Sequence, residues 1–344
     1  MLDPRYAYMS AYLKGEEPKA VTAEHMDRMS RAASMQDALA TIRETDVGRY
    51  LEEVPINTFD DLDRALWAYL SQRISHVEAI KFLPGDMLKV SRAYTAKYDV
   101  SNLKAALLGI STGEKSPMIP VGIIHNNGLL DELSGAENVD AIIEILTKCK
   151  LGGYVPILKE YSTTGEARER LLVEFGLDGE YYKSMLATAK SVREGSVLSK
   201  AFGLVIDLTN LQIACRAIIE GIGTDAAECT IAGGYMITDK AIRDLLSFNL
   251  TDIPRRLENS RYRNIASEVL SNYDRTKSIT AVEETIDKHK FRLLKEILSP
   301  VVLSPLVMAW YLIFKEVEIR NLRWILKAIA DGVSGEEVKR YLVL

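Results

Sequence analysis

Cysteine and histidine are scarce in this sequence, at three and four residues in 344. Cys149, Cys215 and Cys229 are odd in number and show no C-x-x-C spacing. That excludes a zinc finger or a thioredoxin-type motif and points to reduced, buried thiols in a cytoplasmic protein. His25, His76, His125 and His289 are scattered, with no repeated second ligand three or four residues away, so no metal site is expected. A basic excess is missing as well. The net charge is −5, which removes the electrostatic footprint of a nucleic-acid binder. No GxxxxGKS/T run occurs, so direct nucleotide binding through a P-loop is excluded. The nearest glycine-rich stretch, Gly221-Ile222-Gly223-Thr224, follows a helical pattern and reads as a linker between helices. GxSxG, HExxH and EF-hand patterns are absent too. Catalytic residues, a cofactor and a metal are all expected to be lacking.

Long apolar runs are almost as rare. The stretch Met1 to Gly15 carries Asp3, Arg5 and Lys14 and lacks the apolar core of a signal peptide. Ile297 to Phe314 is the exception, with no charge over 18 residues, the lower limit for a membrane span. Pro300 and Pro305 interrupt it, which predicts short helical pieces rather than one spanning helix. No apolar 20-mer carries a single central acid, as an ion path through a membrane requires. Strand signals are sparse; Val121 to Ile124 and Val155 to Leu158 are too brief for a sheet.

What the sequence does have is a repeat. Tyr98-Asp99-Val100-Ser101-Asn102-Leu103-Lys104 matches Ile206-Asp207-Leu208-Thr209-Asn210-Leu211-Gln212 and Val317-Glu318-Ile319-Arg320-Asn321-Leu322-Arg323. The asparagines lie 108 (210 − 102) and 111 (321 − 210) residues apart. Each has an acid three residues before it and a leucine just after. Isoleucine follows at eight residues (Ile110, Ile218, Ile329) and glycine at eleven (Gly113, Gly221, Gly332). The period far exceeds that of solenoid arrays, so each copy is expected to be a small helical domain. The limits are 1–115, 116–225 and 226–344.

The matched segment predicts a helix. Val100, Leu103, Leu107 and Ile110 share one face, as do Leu208, Leu211, Cys215 and Ile218, and Ile319, Leu322, Leu326 and Ile329. Gly113, Gly221 and Gly332 then suit helix ends that need a positive φ. Asn102, Asn210 and Asn321 border the stripe and are expected to hydrogen-bond a neighbouring helix or loop backbone, as structural pins rather than catalytic groups. The segments Thr22 to Glu53, Leu129 to Tyr161 and Thr238 to Val269 each read as one or two amphipathic helices with a late tyrosine (Tyr50, Tyr154, Tyr262). Asp61 to Ser75 and Glu283 to Leu298 give further helical patterns.

The repeat bears on the charge-free run. In register with Ile297 to Phe314, the first copy supplies Lys81, Asp86, Lys89, Arg92 and Lys97, and the second Lys190, Arg193, Glu194 and Lys200. Equivalent elements should sit in similar surroundings, so a buried helix pair is favoured over a span. The acid pairs Asp60-Asp61, Glu283-Glu284 and Glu336-Glu337 read as helix N-terminal or solvated charges. Arg255, Arg256, Arg261 and Arg263 form the densest basic patch, a solvated helix face or a contact for an acidic protein partner.

These features resemble the C subunits of archaeal and bacterial A-type (also called V-type) rotary ATPases, whose eukaryotic counterpart is the d subunit of the vacuolar ATPase. Three helical units of about 110 residues with an Asp/Glu-x-x-Asn-Leu helix carry the resemblance over essentially the whole chain. The last copy, Pro305-Leu306-Val307-Met308-Ala309-Trp310-Tyr311 and then Lys315-Glu316-Val317-Glu318 onward, is its strongest local match. The Tyr6-Ala7-Tyr8 start fits, but Met9-Ser10-Ala11-Tyr12-Leu13-Lys14 stands where an arginine-rich helix is expected. A Pro-Gly-Gly-like element is reduced to Pro120-Val121-Gly122 and Ala232-Gly233-Gly234. The resemblance implies an all-α fold of three pseudo-symmetric domains arranged as a funnel around a pseudo-threefold axis. It also implies a non-catalytic socket, with the D and F subunits of the central shaft seated in the funnel and the proteolipid ring beneath. Such a protein is peripheral, on the cytoplasmic face of the membrane, and reaches the membrane only through the ring.

Three other readings make distinguishable demands. A helical adaptor unrelated to ATPases would have no membrane-bound partner. An all-helical enzyme would have a deep pocket holding strongly shifted titratable groups. A protein spanning the membrane at Ile297 to Phe314 would need detergent when alone.

Overall fold

A computed structural model describes residues 3–161, 167–339 and 341–343, and no strand occurs among them. The chain opens with α1 (Pro4–Lys14), three short helices α2 (Ala23–Ser30), α3 (Met35–Ala40) and α4 (Asp46–Glu52), and two long ones, α5 (Phe59–Glu78) and α6 (Gly85–Thr112). Short helices then return as α7 (Ile123–Asn126), α8 (Leu130–Ser134), α9 (Val139–Lys148) and α10 (Val155–Tyr161), before the long α11 (Ala167–Ser191) and α12 (Gly195–Ile219). A third round runs through α13 (Asp239–Leu245), α14 (Ile253–Arg256) and α15 (Arg263–Thr276) to the long α16 (Ile279–Leu298) and α17 (Leu306–Ala330), with α18 (Gly335–Val338) last.

Hydroxyl and amide caps set many of these boundaries. Thr22, Ser34, Thr45, Thr58, Asn138 and Thr238 each accept a backbone N–H of the helix they open. Thr22 with His25, and Thr58 with Asp61, complete reciprocal capping boxes. Ser34 and Thr45 explain why Thr22 to Glu53 is cut into three short helices where periodicity alone gives one or two, and Asn138 makes one such cut in Leu129 to Tyr161, while α14 and α15 of the third stretch start without a side-chain cap. A cap satisfies the first-turn donors wherever it occurs, so a Ser or Thr inside a periodic pattern restarts the helix. The brief apolar runs at Val121 and Val155 feed helices α7 and α10.

The chain divides into two compact units, one joining Met1–Ser91 to Leu294–Leu344 and one comprising Arg92–Leu293. In the first, α17 is the centre, with α1, α2, α3 and α5 packed on it. Lys315 meets Tyr69, Arg323 meets Asp63 and Lys327 lies over Phe59, so α5 and α17 run antiparallel. In the second unit, α12 packs on α11 and is buried along nearly its whole length, Leu198 to Ala217. Each fully buried leucine or isoleucine of this kind contributes about 1.5–3 kcal/mol.

The charge-free run is a joint, not a rod. Helix α16 ends at Leu298 and α17 begins at Leu306, with both prolines between or at the edge. Helix α12 is the one described helix long and apolar enough to cross a membrane, and most of its apolar window is buried.

Candidate functional site: three buried acid–amide junctions

The repeated acids and asparagines sit on α6, α12 and α17, all nearly or fully buried. A buried amide must find partners for both its donor and its acceptor. Asn102 does so by donating to the Ile119 carbonyl at 2.9 Å and accepting from the Ile119 N–H at 2.8 Å. Asn210 makes the same pair with Ile231, at 2.8 and 2.7 Å. Asn321 makes it with Val343, at 2.7 and 3.0 Å, and also reaches the Met26 sulfur. Each side chain therefore holds one residue of a passing segment as a strand neighbour would.

One helical turn earlier, the acid takes the next part of that segment. Asp99 accepts from the N–H groups of Ile123 and Ile124 at 2.8 and 2.9 Å, which caps the start of α7. Asp207 accepts from Met236 at 2.8 Å, from Tyr235 and Ile237 at 3.2 and 3.3 Å, and from the Tyr262 hydroxyl at 2.8 Å. A Cβ on Gly122 would lie 2.5 Å from the Asp99 carboxylate, and one on Gly234 would lie 2.2 Å from that of Asp207. Only glycine lets the backbone come so near the buried acid.

The third acid differs. Glu318 accepts from the Val21 N–H at 2.8 Å, near the opposite end of the chain. It also pairs with Lys315 at 2.9 Å, and Lys315 donates to the Tyr69 hydroxyl at 3.2 Å. Both charged side chains are almost fully buried. Asp99 and Asp207 have no cationic partner among the described residues. Burial pushes the Asp99 carboxyl up to about 6, against the opposing pull of its two N–H donors. Burial also raises Asp207, with its backbone and Tyr262 donors opposing.

Gly113, Gly221 and Gly332 end the three helices with φ of +74°, +72° and +70°. At α12 and α17 the N–H just past that glycine reaches back five residues, Ile222 to Ala217 and Val333 to Ala328, at 2.9 and 2.8 Å. Two of the late tyrosines also lie at the acids. Tyr262 bonds Asp207, Tyr154 is buried within the field of Asp99, and Tyr50 packs on Tyr69 with ring centroids 5.4 Å apart.

His25 bonds Glu44 and His289 bonds Glu268, each at 2.8 Å. Burial raises the Cys215 and Cys229 thiols to about 12 and about 11. Among the described residues no group of three or more His, Cys, Asp and Glu is placed to hold a metal. Arg255 and Arg263 line an open groove of about 620 Å³ with Glu258 and Asp274, while Arg256 stacks on Phe248 at 3.7 Å. In the second unit Lys104 meets Asp178 at 2.6 Å, and Arg216 lies 3.5 Å from both Glu174 and Glu283.

Lys315, Tyr69 and Val21 are not singled out by the repeat, because none recurs at the matching place in the other copies. Ala96 and Leu204 stand where Lys315 would be. A lysine in an apolar helix face three residues before the acid is the available signal.

The pattern of three helices, each pinning a strap by an acid and an amide, extends over the full chain, and so does its likeness to known proteins. The family model described as ATP synthase (C/AC39) subunit matches residues 9–341. The chain belongs to this family. It is similar to the A-type ATP synthase C subunit of Methanocaldococcus jannaschii, with 25% identity over 98% of this chain and 86% of the relative. The protein of the same name from Pyrococcus abyssi is 24% identical, covering 97% of this chain and 89% of its own length. That from Haloquadratum walsbyi is 24% identical, covering 95% and 99%.

Proposed function

We propose that this chain is a non-catalytic C subunit in the central stalk of an A-type rotary ATP synthase. In this reading it is a peripheral socket on the cytoplasmic face of the membrane. It grips the rotating shaft, made of the D and F subunits, on one side and rests on the proteolipid ring on the other. It passes torque between ATP chemistry and ion translocation. The family match over residues 9–341 carries the reading. The recurrence of the acid–amide junction on α6, α12 and α17 supports a threefold repeat of one unit; in this reading the three domains, at about residues 1–115, 116–225 and 226–344, are arranged as a funnel.

The physics suits the role. A part that transmits torque must be stiff, and buried, fully bonded polar groups fix one arrangement of helices and straps more narrowly than apolar contact does. The test is a pull-down of the tagged chain from gently solubilised membranes, with mass spectrometry of what accompanies it. Shaft and proteolipid components should be recovered together. Recovery of the chain alone, or with unrelated partners, overturns the proposal.

A further inference from the structure

The three junctions are not equally able to open. At the first, the strap follows its helix directly, with 17 residues between Asn102 and Ile119. At the second, 21 residues separate Asn210 and Ile231. At the third, the strap is supplied in two pieces from distant parts of the sequence. Val343 fills the amide site, and Val21, 297 residues away from Glu318, fills the acid site. The registers agree. Ile123 lies four residues beyond Ile119, and Tyr235 four beyond Ile231, so Pro18-Lys19-Ala20-Val21, the link between α1 and α2, takes up where Val343 leaves off. Pro18 to Ala20 stands where Pro120 to Gly122 and Ala232 to Gly234 stand in the other two.

Charge separates the third junction further. If its strap left, Asp99 would lose both N–H donors and remain a buried, unpaired carboxylate. Asp207 would keep only the Tyr262 hydroxyl. An unpaired buried charge is strongly disfavoured, so these straps are locked by the acids they cover. Glu318 keeps its cation when Val21 departs. Lys315 lies on the same helix at i−3 and is held in turn by Tyr69 of α5, neither of them part of the strap.

We propose that the junction of Val21 and Val343 with α17 is a releasable clasp, opened and closed without stranding a charge because Lys315 travels with Glu318. The two internal junctions are permanent. The clasp is a property of the isolated chain and does not rest on the proposed place in a rotary motor.

Native-state hydrogen exchange on the full-length chain tests it at matched amides: Val21, Ile123 and Met236, each bonded to the acid of its junction. Val21 should exchange at least about tenfold faster than the other two, through local rather than global opening. In Lys315→Met the advantage of Val21 over Ile123 should shrink, since opening now leaves Glu318 without a counter-charge. In the double variant Lys315→Met/Glu318→Gln it should return. The proposal is overturned if Val21 exchanges as slowly as Ile123 and Met236 in the unaltered chain, a comparison that needs no variant. It is also overturned if the advantage of Val21 survives Lys315→Met undiminished.

Discussion

The junctions of Asp99 and Glu318 use the same helix pattern and solve the same electrostatic difficulty in opposite ways. Asp99 is held by two backbone N–H groups alone and has its carboxyl raised toward neutrality by burial. Glu318 has one backbone N–H and a lysine from its own helix. A buried acid can be made tolerable by partial protonation or by a partnered cation, and each choice leaves a different sensitivity.

The largest effect should come from removing the cation. Lys315→Met leaves Glu318 buried with one N–H donor, and a loss of about 3–5 kcal/mol is expected in urea unfolding. Lys315→Met/Glu318→Gln should recover much of that loss, because no charge is then buried. If single and double variants are equally unstable, the lysine acts through packing against Tyr69 and the contrast between the junctions collapses.

Acid titration sharpens the contrast from the other side. The folded-state carboxyl of Asp99 lies at about 6, above its ordinary value of 3.8, so the folded chain holds this proton more tightly. Its contribution to stability is fully present below about pH 4 and is lost as pH rises through about 6. The difference amounts to about 3 kcal/mol by linkage. Asp99→Asn removes this titration. Relative to the unaltered chain, the variant should therefore gain stability as pH rises from about 4 to about 6 and hold level above that. Parallel stability curves for the two proteins would show that Asp99 does not titrate in this window.

A smaller effect separates the amides. Asn210→Ala strands the buried N–H and carbonyl of Ile231 and should cost about 2–3 kcal/mol. Asn321→Ala strands Val343 at the junction proposed to open locally, where water satisfies its groups on release, and a loss smaller by about 1 kcal/mol is expected. Thermal unfolding of both variants side by side reads the difference. Equal losses would mean that the third strap is as firmly fixed as the second.

Much of this was legible in the residues, and what was hidden has a common cause. The helical stripe, the pinning role of Asn102, Asn210 and Asn321, and the break at Pro300 and Pro305 all follow from local periodicity and backbone chemistry. The partners of the acids do not. Val21 stands 297 residues from Glu318, and nothing in a linear comparison aligns the link between α1 and α2 with the end of a third copy. Pro18-Lys19-Ala20 lacks the glycines of Ala232-Gly233-Gly234, which disguises it further. Lys315 is hidden because it departs from the repeat, and matching one copy to another brings out only what they share. The cutting of Thr22 to Glu53 into three short helices was also hidden, since Ser34 and Thr45 look like ordinary polar-face residues until they cap.

The smallest expected effect is the one that should not distinguish the junctions at all. Gly113, Gly221 and Gly332 share a left-handed φ of +74°, +72° and +70°, and a Cβ built on any of them meets nothing within 4 Å. Substitution by alanine then brings only the strain of the backbone conformation, about 1 kcal/mol each. The three losses should agree with one another even though the acids beside them behave differently. Agreement would place the asymmetry in the straps and charges, not in the helices that carry them. A Gly332→Ala loss well above those of Gly113→Ala and Gly221→Ala would instead tie the clasp to the helix end, and the two would have to be treated as one element.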